Sequence, residues 1–310
     1  MGITKRKKVS CHVITYNHIN YISKCIDGIL MQKTDFDFEI VIGDDVSTDG
    51  TREIVKEYAS RFPDLIRLNL RDKRGTGIPG KENFMSTLEM CDGEYITLCD
   101  GDDYWTDPLK LQKQVDFLEQ NKEYSICFHN VKYIDISGGE TKHKNFNSGS
   151  IEKTFTIEDL SSGNFIDAPS VVFRNNDKIL PSWFKYSPIG DYPLHMINAS
   201  FGLIKYFPEE MAVYRVGSGV WSTKSNIEQT VNAMFCMTLL MSHFKSNIPV
   251  FENLKKQYDN FKAILSKPFE DQKKLELNIK DHTFLEKNIS LNYLLKILKI
   301  KILKKLKIKN

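Results

Sequence analysis

Residues 43–51 read GDDVSTDGT: Gly43, Asp44, Asp45, Val46, Ser47, Thr48, Asp49, Gly50 and Thr51. Six of these nine side chains carry oxygen, which suits them to a cation or a ribose. From Asp45 the order D-x-S-x-D-G opens like the calcium loop of a helix–loop–helix hand, which needs a bidentate carboxylate at its twelfth position. That position is Lys56, whose charge repels the ion, so the calcium reading fails. The stretch instead directly follows a short apolar run at residues 38–42, and its meaning depends on what lies around that run.

Around it, strand-like and helix-like segments alternate. Apolar runs of strand length lie at residues 9–15, 38–42, 66–70, 95–99 and 125–128. Between them, apolar residues recur at helical spacing: Ile19, Ile22, Ile26 and Ile29; Ile54, Val55, Tyr58 and Phe62; Phe84, Met85 and Leu88; Leu111, Val115 and Leu118, after Pro108. This βαβα order predicts an α/β fold with a mostly parallel sheet flanked by helices. Ligands of open parallel sheets bind beyond the carboxyl ends of the strands. Two acidic clusters fall there: Asp44 and Asp45 after the second strand, Asp100, Asp102 and Asp103 after the fourth. Residues 131–222 are less regular, with strand-like pieces at 170–174, 203–207 and 212–216, and residues 223–310 read as helical.

Composition narrows the function. The chain has 310 residues, 41% hydrophobic and 27% charged, as expected of a globular protein. Its net charge of +3 is uneven: residues 296–309 hold seven lysines and no acid, so the remainder carries −4. A mildly acidic body argues against a nucleic-acid face. The six cysteines form no C-x-x-C pair, and Cys11, Cys99 and Cys127 lie in apolar runs, as reduced cytosolic thiols do. A basic cluster at residues 5–8 is not followed by an apolar segment, and no run of 18 apolar residues occurs, so neither a secretion signal nor a membrane span is expected.

The run CDGDDYW at residues 99–105 places three carboxylates within four residues at a strand end. Ionised together they repel, unless a cation or hydrogen-bond donors compensate. A hard divalent cation shared with phosphate oxygens is the usual solution. An isolated D-x-D is more often a solvated acidic turn, but the second acidic strand end and the neighbouring Tyr104 and Trp105 favour a functional cluster.

Together these stretches resemble glycosyltransferase family 2, the inverting nucleotide-sugar transferases of the GT-A (Rossmann-like) fold. Val13, Ile14, Thr15, Tyr16 and Asn17 are similar to the family's opening TYN strand end; residues 44–51 to its DDGSTDGT; residues 93–96 to its GEYI; and residues 100–103 to its D-x-D-D. GDDYWTDPLKLQKQVDFLE at residues 101–119 resembles a bacterial polysaccharide-building subgroup. The resemblance covers residues 9–221. It implies a transferase domain over 1–222, with a nucleotide-binding half to about residue 130 and an acceptor half after it, followed by a helical C-terminal region with a basic tail.

By this resemblance the opening stretch holds a nucleotide base and ribose. Asp45 accepts from the base N3–H, with Asp44, Thr15, Tyr16 and Asn17 lining the pocket; Ser47, Thr48 and Asp49 shape the turn and cap the following helix. Asp102 is the metal-ligating carboxylate and Asp100 its ribose-facing or metal partner, with Mn²⁺ or Mg²⁺ as cofactor. Asp191, in the stretch SPIGDYPL, is the base that inversion requires, although Asp is also a common helix cap at such a turn. Arg215 and Trp221, in YRVGSGVWS, are expected at the diphosphate and over the donor. Lys81, Asn83 and Arg174 are secondary donor or acceptor candidates, the first two also reading as a helix start. Relatives often carry a metal-binding His two residues after the Arg, where this chain has Gly217. His195 and His129 are weaker substitutes.

The implied reaction moves a sugar from a nucleotide donor, UDP-linked by preference, to a glycan or lipid-linked glycan hydroxyl during surface-polysaccharide assembly. The lysine-rich tail fits docking to anionic lipid at about 1 kcal/mol per lysine, and would put a cytoplasmic enzyme at the inner membrane face; a helix with a solvated basic side is the plainer alternative. Two rivals remain. A sugar-1-phosphate nucleotidyltransferase would want a Gly-rich loop after the first strand, but residues 16–20 read YNHIN. The other is a family member that binds nucleotide-sugar without turnover.

Overall fold

β1 (Val9–Thr15) is the axis of the sheet. The computed structural model describes residues 6–141, 151–176, 180–219 and 221–270, with side chains described to residue 265. After β1 come α1 (Ile22–Leu30), β2 (Phe38–Asp44), α2 (Thr51–Arg61), β3 (Ile66–Leu70), α3 (Lys81–Met90), β4 (Tyr95–Asp100), β5 (Tyr104–Trp105), α4 (Lys110–Gln120) and β6 (Tyr124–Ile134). Then follow β7 (Lys153–Phe155), α5 (Ile157–Leu160), β8 (Val172–Arg174), α6 (Asp191–Ala199), β9 (Leu203–Arg215), α7 (Asn226–His243) and α8 (Ile248–Glu270). The strand order is β3-β2-β1-β4-β8-β6-β9-β5, with β7 on β9. The first four strands are parallel throughout. Beyond β4 the sheet is mixed: β8 runs antiparallel to both β4 and β6, while β6 and β9 are parallel.

Burial on both faces explains why the N-terminal strands read as unbroken apolar runs. Val9, Cys11 and Val13 point to a core shared with Ile22 and Ile26 of α1, Val55 of α2 and Leu111 and Val115 of α4. The opposite face packs Phe84 and Leu88 of α3, Leu194 and Met196 of α6, and Cys236, Leu240, Val250 and Leu254 of α7 and α8. The helices after residue 222 thus complete the second core layer. The lysine-rich tail at 296–309 lies outside the described residues.

Two pieces expected as separate strands, at 203–207 and 212–216, are one strand, β9, whose pairing with β6 slips near His129 and Asn130. Those irregularities absorb Pro208, which interrupts the sequence pattern. The expected strand at 170–174 begins as a 3₁₀ turn over Ala168–Ser170, so β8 keeps only its last residues.

Two local features carry strain or buried charge. Val46 has φ 66, a left-handed conformation that is a genuine outlier for a β-branched residue. Its place in the turn after β2 is where the resembling motif has glycine. Lys110, fully buried on α4, donates to Gln114 Oε1 at 2.9 Å and lies 4.2 Å from the Trp105 ring centroid. Burial pulls its pKa down to about 8 from 10.5, against a smaller opposing pull from neighbouring thiols.

The folded state therefore binds fewer protons than the unfolded state between about pH 8 and 10.5, and stability rises with pH across that window. Lys110→Met should stabilise the protein at pH 7 by on the order of 2 kcal/mol. Urea unfolding at pH 7 and again above 10.5 checks this: the gain is full at the lower pH and vanishes at the higher. Val46→Gly should relieve the turn and raise stability by about 1 kcal/mol, read as a higher urea midpoint at unchanged slope.

Candidate nucleotide-sugar site

The last two carbonyls of β1 hold both acidic turns. Gly101 N–H donates to Ile14 O at 2.9 Å, and Asp45 N–H donates to Thr15 O at 3.0 Å. In register, Thr15 pairs with Asp44 across β1 and β2, and Ile14 with Asp100 across β1 and β4. Asp44 and Asp100 thus stand two strand spacings apart, about 10 Å, on one rim of the sheet.

On the β2 side the two neighbouring acids have different surroundings. Asp44 is buried, and its Oδ1 accepts from Arg52 Nε at 2.6 Å and from Ser47 N at 3.2 Å. It braces the turn. Asp45 faces Arg71 Nε at 3.4 Å and Arg74 Nε at 3.3 Å. Burial raises its pKa despite these cations. Arg74 in turn stacks 3.7 Å from the Tyr16 ring centroid, so an aromatic face and a guanidinium plane lie beside Asp45. Asn17, itself left-handed at φ 55, staples the two loops: its N–H donates to Ser47 Oγ and its Oδ1 accepts from Thr48 N, both at 2.9 Å. Thr15 is buried and its Oγ1 has no hydrogen-bond partner. Asn83 sits behind the rim, donating to Gly43 O at 2.9 Å. A Cβ on Gly43 would lie 1.9 Å from Thr87 Oγ1, so glycine is required there for α3 to approach β2.

On the β4 side, Asp102 is buried and its Oδ2 accepts from Ser218 Oγ at 2.6 Å. Asp103 Oδ1 accepts the N–H of Arg215 at 2.7 Å, tying this turn to the end of β9. Asp100 is pushed up to about 8, first by burial and then by the charges of Asp102 and Asp191. The guanidinium of Arg215 is buried and committed to the carbonyls of Asp102 and Asp135, both at 3.1 Å, and to the Tyr21 ring. In this arrangement it fastens the acidic turn to β9. Gly217 has φ 102, a conformation that disfavours side chains. The loop presents Ser218 to Asp102. Trp221 is exposed on the same loop.

Asp191 is the first residue of α6, where the helix N-terminus favours a carboxylate. Its Oδ2 accepts from Asn164 Nδ2 at 3.3 Å. The influence of Asp191 on Asp100 brings the third acidic element to the same rim. Tyr214 stands among these acids: burial and then Asp103, Asp167, Asp191 and Asp100 raise its pKa. His195, one turn after Asp191, is fully buried with neither ring nitrogen bonded, and burial pulls it down to about 4. His129 is likewise buried, its Nδ1 against Asn130 O at 2.7 Å. Among the described residues no group of three or more His, Cys, Asp or Glu side chains is arranged to hold a metal ion. Asp100 and Asp102 remain the residues that could hold one. A half-buried carboxylate raised to about 8 by burial and then by its acidic neighbours, next to the buried Asp102, suits a cation whose other ligands are phosphate and water oxygens.

Arg174 is a correction to the sequence reading. The antiparallel run of β8 pairs it with Tyr95, at the start of β4, on the opposite rim. There it donates to Tyr124 O and to the Tyr95 hydroxyl, at 2.8 and 2.9 Å. Arg71, Arg74, Ser218, Asn164 and Tyr214 join the site without having been singled out in the sequence. The basic run RDKR at residues 71–74, just after a strand, was the one available signal among them.

Comparisons with known proteins bear on the family and the fold. A model of the family described as "Glycosyl transferase family 2" matches residues 10–178. An uncharacterized protein of Mycobacterium tuberculosis is 42% identical over 209 residues, which are 67% of this chain and 59% of that protein; the chain thus spans about three fifths of that relative. An uncharacterized glycosyltransferase of Nostoc is 29% identical, covering 67% of this chain and 65% of its own. A putative teichuronic acid biosynthesis glycosyltransferase of Bacillus subtilis, TuaG, is 32% identical over 36% of this chain and 41% of its own. In fold, the chain is similar to S. aureus TarS 1-349 in complex with UDP-GlcNAc, with TM-score 0.60 at 19% identity over 87% of this chain and 77% of that one. It is also similar to the mannosyltransferase PcManGT of Pyrobaculum calidifontis in complex with GDP-Man and Mn²⁺, with TM-score 0.52 at 17% identity over 97% and 81%. With the family model covering more than half of its length, the chain belongs to glycosyl transferase family 2.

Proposed function

We propose that the chain is an inverting hexosyltransferase that moves a sugar from a UDP-sugar to a hydroxyl of a glycan or lipid-linked glycan in surface-polysaccharide synthesis. The observation that carries this is the convergence of Asp45, the Asp100–Asp102 pair and Asp191 on one rim of the sheet. Each supplies a different requirement. Asp45, with Tyr16 beside it, accepts the imide N–H of the base; a buried acceptor of this kind discriminates strongly against bases lacking the donor. Asp100 and Asp102 take the ribose and the divalent ion. Bound there, Mn²⁺ or Mg²⁺ would neutralise the charge that develops on the diphosphate leaving group. Asp191 removes the proton from the acceptor hydroxyl as its oxygen bonds to the anomeric carbon; the bond from that carbon to the diphosphate breaks, and the nucleoside diphosphate leaves with the bonding pair.

The UDP-GlcNAc bound to TarS supports a uridine donor, the Mn²⁺ bound to PcManGT supports a divalent ion, and the teichuronic acid relative supports a cell-surface product. Among the described residues no helix is long and apolar enough to cross a membrane. The lysines at 296–309 support contact with an anionic leaflet, where a lipid-linked acceptor would be met.

UDP with Mn²⁺ should raise the melting temperature, and Asp45→Asn should abolish the shift. Asp191→Asn should bind UDP as the wild type does and lower sugar transfer about 10²–10⁴-fold. Sugar transfer undiminished in Asp191→Asn removes Asp191 from the mechanism.

A further inference from the structure

We infer that Lys81 is a positioning residue for Asp191: from the first turn of α3 its ammonium grips the Ile189 carbonyl and fixes the turn that aims the carboxylate. The inference rests on the reading of Asp191 as the base. Lys81 is buried, and its Nζ donates to Ile189 O at 2.9 Å. Ile189 stands two residues before Asp191. The same carbonyl also accepts from Ser187 Oγ at 2.8 Å, and Ser187 Oγ accepts from Ile189 N at 3.3 Å. Gly190, the intervening residue, packs so closely on α3 that a Cβ there would lie 3.3 Å from the Phe84 ring. Lys81 itself stands 4.5 Å from the Phe184 ring centroid and 5.6 Å from that of Phe84. The turn before Asp191 is thus gripped at its carbonyl, its amide and its glycine, and α3 supplies two of these holds.

Stability alone does not account for a lysine here. Its ammonium has two aromatic rings and one hydrogen-bonded carbonyl around it and feels the charge of Asp191, yet burial still lowers its pKa to about 8. A buried charge of this kind is a cost that a methionine of similar length would avoid. What methionine cannot do is hold the Ile189 carbonyl. A misplacement of about 1 Å at a reacting group can lower turnover by about 10²-fold, which is the scale of effect such a grip protects.

The test uses the full chain in two measurements. Amide hydrogen exchange of residues 187–194 in Lys81→Met should run about tenfold faster than in the wild type, while residues 43–51 exchange as before. Release of UDP from UDP-N-acetylglucosamine in Mn²⁺, with water as acceptor, should show kcat lowered about 10- to 100-fold at unchanged KM. In an Asp191→Asn background, Lys81→Met should add no further loss, because groups acting as a unit are non-additive. Unchanged exchange over 187–194, or a full additional loss on top of Asp191→Asn, overturns the inference. Should Lys81→Met fail to fold, Ser187→Ala removes the other donor to the same carbonyl and must give the same two results. Full turnover in Asp191→Asn would instead sink the assignment of the base, a separate outcome, and exchange would still report whether Lys81 holds the turn.

Discussion

Two backbone hydrogen bonds at the end of β1 set the geometry on which the site depends. Ile14 O takes the N–H of Gly101 and Thr15 O takes the N–H of Asp45. β1 is the shared neighbour of β2 and β4, so its last residues are the one place where both acidic turns meet a common frame. Parallel strands end on the same side, and their carboxyl-terminal loops open on one crevice. A slip of β1 by one residue would move its side chains to the other face and separate the turns. The apolar contacts of Val9, Cys11 and Val13 on one face, and the bond between His12 Nε2 and Phe84 O on the other, hold that register.

Gathering carboxylates on a buried rim sets an electrostatic problem, and the fold answers it differently at each acid. Asp44 is paired with Arg52 and braces the turn. Asp45 faces two arginines, and burial still raises its pKa. Asp103 takes a backbone N–H and Asp102 a serine hydroxyl. Asp100 has no such side-chain partner among the described residues, and it stands at about 8. Asp100 is thus the acid on this rim whose charged neighbours are other acids, Asp102 and Asp191. Arg215, which the sequence suggests as a phosphate contact, is occupied in joining the acidic turn to β9.

Much of this was legible in the residues. The bounds of β1 and β3 follow the apolar runs, and the two acidic strand ends lie where the alternation of strands and helices predicts. Short-range features were legible too: Asp49 caps the start of α2 through Thr51 N, and Asp191 opens α6. Other features depend on contacts between residues remote in the chain. Nothing near Asp45 in sequence foretells Arg71 and Arg74. Nothing near Asp102 foretells Ser218, 116 positions away. Arg174 was misplaced because a three-residue strand does not reveal its direction, and an antiparallel run sends it to the wrong rim. Asn83, a secondary donor or acceptor candidate in the sequence, braces Gly43 because α3 lies directly on β2.

By itself the sequence determined the layered α/β alternation, the positions of the acidic turns and the family, because these depend on local periodicity and on residue types at fixed spacing. The tertiary structure alone decided which acids meet arginines or hydrogen-bond donors and which face other acids. It also decided that Arg215 and Lys81 act as fasteners, and that Asp191 reaches Asp100 from the far half of the chain. The physical reason is that burial and pairing energies belong to neighbours in space, and neighbours in space are set only when the sheet closes its register.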